Sequence, residues 1–332
     1  MTAAQAARWK VVAAFAALYV LWGSTYLAIR FAIETLPPFW MAAARFLTAG
    51  TILYAVMRWR GTPVPKPAHW RSAFVVGLLL LLGGNGGVVW AEQRVPSGIA
   101  ALLVATVPLW MVLLDGAGRG WRLPHPQLLL GIGVGLAGVA LLVGPGQTAG
   151  GGGVDTTGAL VLLVASLSWT AGSLYSRKAE LPPSPFLGSA MQMLGGGAGL
   201  VVAGLLAGEA SRLDLAAASG RSLAALLFLV VFGSLVGFTA YIWLLRVTTP
   251  ALVSTYAYVN PVVAVLLGWA FAGEPVTART LLAAAVIVGA VALITTYRAR
   301  PAAASAPAAP PAAPDPVRPR AETAVAPCVD TV

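Results

Sequence analysis

The chain has 332 residues, 58% hydrophobic and only 10% charged, with a formal net charge of +10 and a mean hydropathy of +0.83. A water-soluble domain carries roughly 25% charged residues, so this composition excludes a molecule clothed by water on all sides. The positive balance does not point to nucleic acid, because Lys and Arg sit in short loops between apolar blocks rather than on one surface. The single cysteine, Cys328, excludes a disulfide and a cysteine-built metal site.

Ten apolar segments follow in chain order, at 10–30, 38–57, 72–91, 98–115, 127–145, 156–176, 184–207, 222–243, 250–271 and 279–297. A helix rises ~1.5 Å per residue and the hydrocarbon core is ~30 Å thick, so segments of about 20 residues are long enough to span. The first contains "VVAAFAALYVLWGSTYLAI". It exceeds a signal-peptide core and no A-x-A site follows it, so it is expected to be a retained span. With the N-terminus inside, fifteen Lys and Arg fall on the cytoplasmic side and five outside, and Arg45 is left within a span. That bias predicts an all-α membrane protein of ten transmembrane helices with both termini cytoplasmic.

The ten segments divide into a first five-helix repeat at 10–145, a Gly-rich joint at 146–155 ("GQTAGGGGVD") and a second repeat at 156–297. A tail at 298–332, rich in Ala and Pro, is expected to be disordered in the cytoplasm. "SGIAALLVATVPLWMVLL" lies over "PALVSTYAYVNPVVAVLL" without a gap, with Pro108 on Pro261. "LYVLWGSTYL" and "LVASLSWTAGSLY" form a weaker pair, each followed by Leu-Pro-Pro. Five is odd, so the second repeat must enter the membrane from the opposite side, giving a 5+5 inverted-topology repeat of the kind that builds secondary transporters.

The polar residues within these spans are the candidates for a substrate path. Span one offers Trp22, Ser24 and Thr25, and span three offers Asn85, with Glu92 at its outer end. Arg45 lies about 7 residues into span two. An arginine at depth costs about 2.5–3.5 kcal/mol to insert, so it must snorkel, cap a neighbouring helix or face a wet cavity. In a cavity it would meet a substrate carboxylate or phosphate, with Glu92 as its neutralising partner when the site is empty. Pro108 of span four and Pro261 of span nine both count to ~15 Å depth. Each withdraws an N–H from the carbonyl four residues back, so matched midplane breaks are expected to mark a binding site. In the second repeat Trp169 and Ser173 of span six, Gln192 of span seven and Ser234 of span eight count to the inner half. The outer half is therefore expected to be cationic and the inner half neutral. Tyr256, Tyr258 and Asn260 flank the second proline, and aromatic walls with an amide suit an amphipathic solute. Ser and Thr in helices also bond their own carbonyls, and aromatic residues also serve packing alone.

The stretches "LYVLWGSTYLAIRFAIETLPPFWMAAARFLTAG", "GNGGVVWAEQRVPSGIAALLVATVPLW" and "TPALVSTYAYVNPVVAVLLG" resemble EamA-type members of the drug/metabolite transporter superfamily. The resemblance covers about 10–297 and leaves out the tail. It implies a 5+5 exporter of small metabolites in the inner membrane. It also implies that helices one to four and six to nine line a central cavity, with five and ten peripheral. It does not specify the substrate.

"GVGLAG" at 133–138 matches a dinucleotide fingerprint by letters, but no strand precedes it, so no such cofactor is expected. Gly131 and Gly135 instead form a G-x-x-x-G face for close helix packing or a homodimer. The acids lie in loops, tails or span ends, and both histidines lie in cytoplasmic loops. The spans therefore show no nucleophile–base pair for an intramembrane hydrolase. With no mid-membrane carboxylate or histidine, facilitated export down a gradient is expected to fit better than proton antiport, which rests on Glu92 alone. The reading is a secondary carrier exporting small amphipathic metabolites, amino acids among them, by alternating access, with no cofactor or metal. Its partners are a small-molecule substrate and the lipid bilayer, with no nucleic acid. The alternatives are a drug exporter and a non-transporting scaffold or lipid-binding protein, which would need no matched breaks.

Overall fold

The computed structural model describes residues 3–117, 126–143, 154–214, 216–247 and 256–299. Residues 146–153 of the Gly-rich joint and the tail from 300 onward lie outside these. Each of the ten apolar segments is helical among the described residues. The helices are α1 (Ala3–Ala32), α2 (Pro38–Trp59), α3 (Pro67–Gly77), α4 (Gly87–Ala91), α5 (Ser97–Val104), α6 (Val107–Ala117) and α7 (Pro126–Val143). They continue as α8 (Thr156–Ser176), α9 (Pro185–Leu206), α10 (Gly220–Phe228), α11 (Gly237–Val247), α12 (Tyr256–Ala272) and α13 (Ala278–Ala299). Two π-helical stretches, Leu78–Gly86 and Leu229–Val236, join α3 to α4 and α10 to α11 into single rods.

Local sequence explains the helix starts. Proline occupies the first turn of α2, α3 and α9, where its missing N–H has no partner to lose. Asp155, Ser184 and Ser219 accept backbone N–H bonds as N-caps of α8, α9 and α10. Six rods, Trp9–Ala32, Pro38–Trp59, Pro67–Ala91, Thr156–Ser176, Pro185–Leu206 and Gly220–Tyr241, are long and apolar enough to cross a membrane. Shorter apolar windows lie at Ser97–Met111, Leu130–Leu141, Val259–Ala272 and Ala278–Ala290.

The helices of the first half pack mainly on those of the second: α2 on α9, α7 on α13, α1 on α12, α5 on α12 and α8, and α3 with its π stretch on α8 and α9. The π stretch of the second half packs in turn on α1 and α2. Small residues permit this closeness. A Cβ on Gly77 of α3 would overlap the Gln192 carbonyl oxygen of α9 and come within 2.7 Å of the Gly196 nitrogen. The G-x-x-x-G face is used inside the chain. A Cβ on Gly135 would meet Leu109 Cδ1 at 2.7 Å and Ala290 at 3.5 Å, and one on Gly138 would meet Ile287 at 2.8 Å, whereas Gly133 faces open space.

The connections at one end of the bundle are tied by charge. Glu274, after α12, accepts the N–H groups of Ser97 (2.7 Å) and Gly98 (3.1 Å) that open α5. Glu209 accepts those of Phe39 (3.0 Å) and Trp40 (3.1 Å) at the start of α2. Arg221 pairs with Glu34 at 3.4 Å, and Arg94 with Asp155 at 3.9 Å. At the opposite end His69 lies 3.8 Å from Glu180.

The two prolines behave differently, which corrects the expectation of matched breaks. The helix stops at Val104 and resumes at Val107, immediately before Pro108, and Thr106 bridges the gap by donating its hydroxyl to the Leu103 carbonyl at 2.6 Å. Pro261, by contrast, lies inside the continuous α12. Its neighbour Asn260 is buried, and with its amide nitrogen turned inward it reaches the carbonyls of Tyr256 (3.3 Å) and Tyr19 (3.2 Å). The amide ties α12 to α1 across the position where a break was expected.

Candidate functional site

A cavity of about 100 Å³ lies between the two halves. Eight of the sequence candidates line it: Trp22 and Thr25 of α1, Arg45 of α2, Asn85 of the first π stretch, Trp169 of α8, and Tyr256, Asn260 and Pro261 of α12. Tyr26, Phe46, Ser166, Gly233 and Phe238 line it as well and were not anticipated. Tyr26 follows Trp22 by four residues and Ser166 precedes Trp169 by three, so helical spacing placed both on the cavity face.

Trp22 is the centre of the wall. Its ring centroid lies 5.1 Å from that of Tyr241, 5.3 Å from Tyr256, 6.3 Å from Trp169 and 6.4 Å from Phe238. Its indole Nε1 donates to the Gly233 carbonyl at 3.1 Å. Ser168 of α8 donates in the same way to the Leu79 carbonyl at 2.7 Å. Both acceptors belong to π-helical stretches, whose wider turns misalign backbone carbonyls and leave them for outside donors. Two sequence-matched helices, α1 and α8, thus each brace the π stretch of the opposite half.

Arg45 is buried, with 5% of its surface exposed, and is the one charged side chain among the described lining residues. Its Nε donates to Ser234 Oγ at 2.9 Å. A Cβ on Gly233 would stand 3.0 Å from Arg45 Nη2 and 3.1 Å from Thr25 Cγ2, so the glycine makes room for the guanidinium. This corrects the split into a cationic outer and a neutral inner half: Arg45 and Ser234 meet, as do Trp22 and Trp169. Counting residues locates a Cα. The arginine side chain then reaches several ångströms further, across to the π stretch of the other half.

The remaining candidates lie elsewhere. Ser24 and Ser173 give their hydroxyls to Leu21 (2.9 Å) and Trp169 (2.7 Å) of their own helices, as Thr25 does to Trp22 (2.7 Å). Gln192 is buried at the α3–α9 contact, and Pro108 is in α6; neither lines the cavity. The Tyr258 side chain lies outside the described residues. Glu92 does not pair with Arg45. It is fully buried one turn beyond the cavity residue Val88, and the Arg30 guanidinium donates to its backbone carbonyl at 2.7 Å rather than to its carboxylate.

Chemically, the cavity combines a broad aromatic surface, two amides and one guanidinium with four further N–H donors beyond Nε. Such a lining can give apolar contact area and hydrogen bonds to a polar or anionic group.

The EamA-like transporter family matches this chain twice, over residues 9–144 and 156–296. The chain is 43% identical over 281 residues to the inner membrane transporter YedA of Escherichia coli strain K12, covering 84% of this chain and 88% of that protein. It is 27% identical over 169 residues to a probable amino-acid metabolite efflux pump of the same strain, covering 48% of this chain and 50% of that protein. A solved crystal structure shares the fold at a TM-score of 0.60 and 22% identity, over 86% of this chain and 96% of its own.

Proposed function

Since the chain belongs to the EamA-like transporter family and is a multi-pass transporter of the inner membrane, we propose that it is a secondary carrier exporting small amphipathic metabolites of the amino-acid kind. The observation that carries this reading is the buried Arg45, held by Ser234 and opening onto an aromatic cavity. A guanidinium there binds a carboxylate, and the indole and phenol rings take an apolar side chain. The relative named as an amino-acid metabolite efflux pump supports both the substrate class and the outward direction.

The carrier spans the membrane ten times as a 5+5 inverted repeat with both termini cytoplasmic. The helix pairing supports this arrangement. Exchanging the halves turns the contact of α1 with the second π stretch into that of α8 with the first, and it leaves α2–α9 and α7–α13 unchanged. Rocking of one half against the other around the cavity provides alternating access.

The test is solute counterflow in proteoliposomes with amino acids and dicarboxylates against quaternary-ammonium dyes. Carboxylate-bearing solutes are expected to exchange, and Arg45→Ala is expected to reduce that exchange at least tenfold, the loss of one charged hydrogen-bond partner of about 1.5–3 kcal/mol. Dye flux that is unchanged or higher in Arg45→Ala would instead favour a drug exporter, in which the aromatic wall binds cations.

A further inference from the structure

Glu92 is the one described carboxylate whose two oxygens are both buried without a hydrogen-bond partner. None of its surface is exposed. It caps the C-terminal end of α4, one turn beyond Val88, so it adjoins the cavity without lining it. The charged and titratable groups that face it come from every side. Tyr26 and Arg30 belong to α1, Arg45 to α2, and Glu274 to the connection after α12. Asp155, the N-cap of α8, is taken by Arg94. None of these makes an ion pair with Glu92 among the described residues. Arg30 spends its short bond on the Glu92 carbonyl, Arg45 bonds Ser234, and Glu274 caps α5.

An ionised carboxylate with buried oxygens and no protein donor to either is among the costliest groups a protein interior can hold. A neutral carboxylic acid in the same place carries a far smaller penalty. Two guanidinium groups nonetheless act on it from nearby, Arg30 bonded to the Glu92 carbonyl and Arg45 to Ser234. A modest shift of α1 or α2 against α4 would release one of them to the carboxylate. The site therefore has two electrostatic states separated by helix movement, and it lies beside the cavity that the same movement opens and closes.

We propose that Glu92 is the proton-binding group of the carrier. It holds one proton in the arrangement seen here. It gives that proton up when the bundle opens to the other side and a guanidinium or water reaches its oxygens. One proton is taken from the outer aqueous phase by the carboxylate and returned from the carboxylic acid to the cytoplasm, while one solute leaves. Because proton occupancy differs between the two arrangements, a proton gradient biases the exchange, and by reciprocity solute binding alters proton affinity. The coupling half of this inference rests on the carrier reading above; the proton-binding half does not.

Two measurements keep them apart. The first needs no solute. Infrared difference spectra of the purified protein at neutral pH are expected to show a protonated-carboxyl stretch that disappears in Glu92→Gln and persists in Glu209→Gln. Its absence in the wild type, or its persistence in Glu92→Gln, overturns the proposal. If Glu92→Gln fails to fold, carbodiimide labelling of the wild type decides: the reagent adds to protonated buried carboxyls, and peptide mass spectrometry must find the adduct on Glu92. Recovery of that peptide unmodified counts against the proposal. The second measurement uses liposomes loaded at a pH one unit below the bath, with the potential clamped. The solute that exchanges best in counterflow is expected to accumulate about tenfold in the wild type, the ratio set by one proton per solute. Flux through Glu92→Gln, whatever its size, is expected not to respond to the gradient. Wild-type uptake indifferent to the gradient overturns the coupling and leaves the infrared result to judge the proton site.

Discussion

At the scale of single residues, burial decides which polar groups matter. Ser24 and Ser173 lie on spans that build the cavity, yet each is satisfied by its own helix and offers a solute little. Ser234 differs because its hydroxyl is the acceptor for a buried guanidinium. Ser234→Ala would leave Arg45 Nε without that partner, at a cost of about 1–3 kcal/mol. A lower thermal unfolding midpoint in detergent is expected, together with weaker counterflow of carboxylate solutes. Ser24→Ala, which frees no partner on another helix, is expected to change neither.

Among the elements, the third rod of each half carries a π-helical stretch. The π stretches bring Asn85 and Gly233 to the cavity and expose carbonyls that Ser168 and Trp22 take up. The helix ends are governed by charge from the opposite half. Glu274 caps α5 with both carboxylate oxygens, and its approach depends on Gly268, where a Cβ would overlap Glu274 Oε2. Glu274→Ala would orphan the Ser97 and Gly98 N–H groups, with an expected loss of about 1 kcal/mol. Hydrogen exchange in detergent is expected to report it as faster exchange confined to the first turn of α5. Protection unchanged there would show that water replaces the cap without penalty.

For the whole molecule, the two halves are interleaved rather than docked side by side, since each rod finds its main partner in the other half. Neither half buries its apolar and polar faces alone, and the cavity exists only where the two meet. The proposed orientation has a direct check, because Cys328 is the only cysteine of the chain. In right-side-out vesicles a membrane-impermeant maleimide is expected to leave Cys328 unlabelled until the membrane is permeabilised. Labelling before permeabilisation would place the C-terminus outside and overturn the proposed orientation.

Composition and hydrophobic spacing alone determined that the chain is helical and apolar in ten places, because the length of a bilayer-crossing helix and the cost of charge within it leave few alternatives. They also singled out Trp22, Thr25, Arg45, Asn85, Trp169, Tyr256, Asn260 and Pro261, since a polar or aromatic residue at depth stands out against an apolar background. Only the tertiary structure decided what these residues do to one another. Pro108 adjoins a helix break while Pro261 does not, because Thr106 bridges the first gap and Asn260 stitches α12 to α1 at the second. Arg45 found Ser234 instead of Glu92 because side-chain reach and the packing of α2 on the second π stretch, neither of which is written in residue counts, set which groups meet. Among the described residues the Glu92 carboxylate was left without a hydrogen-bond partner for the same reason: its neighbours' hydrogen bonds are directed by contacts between helices far apart in the chain.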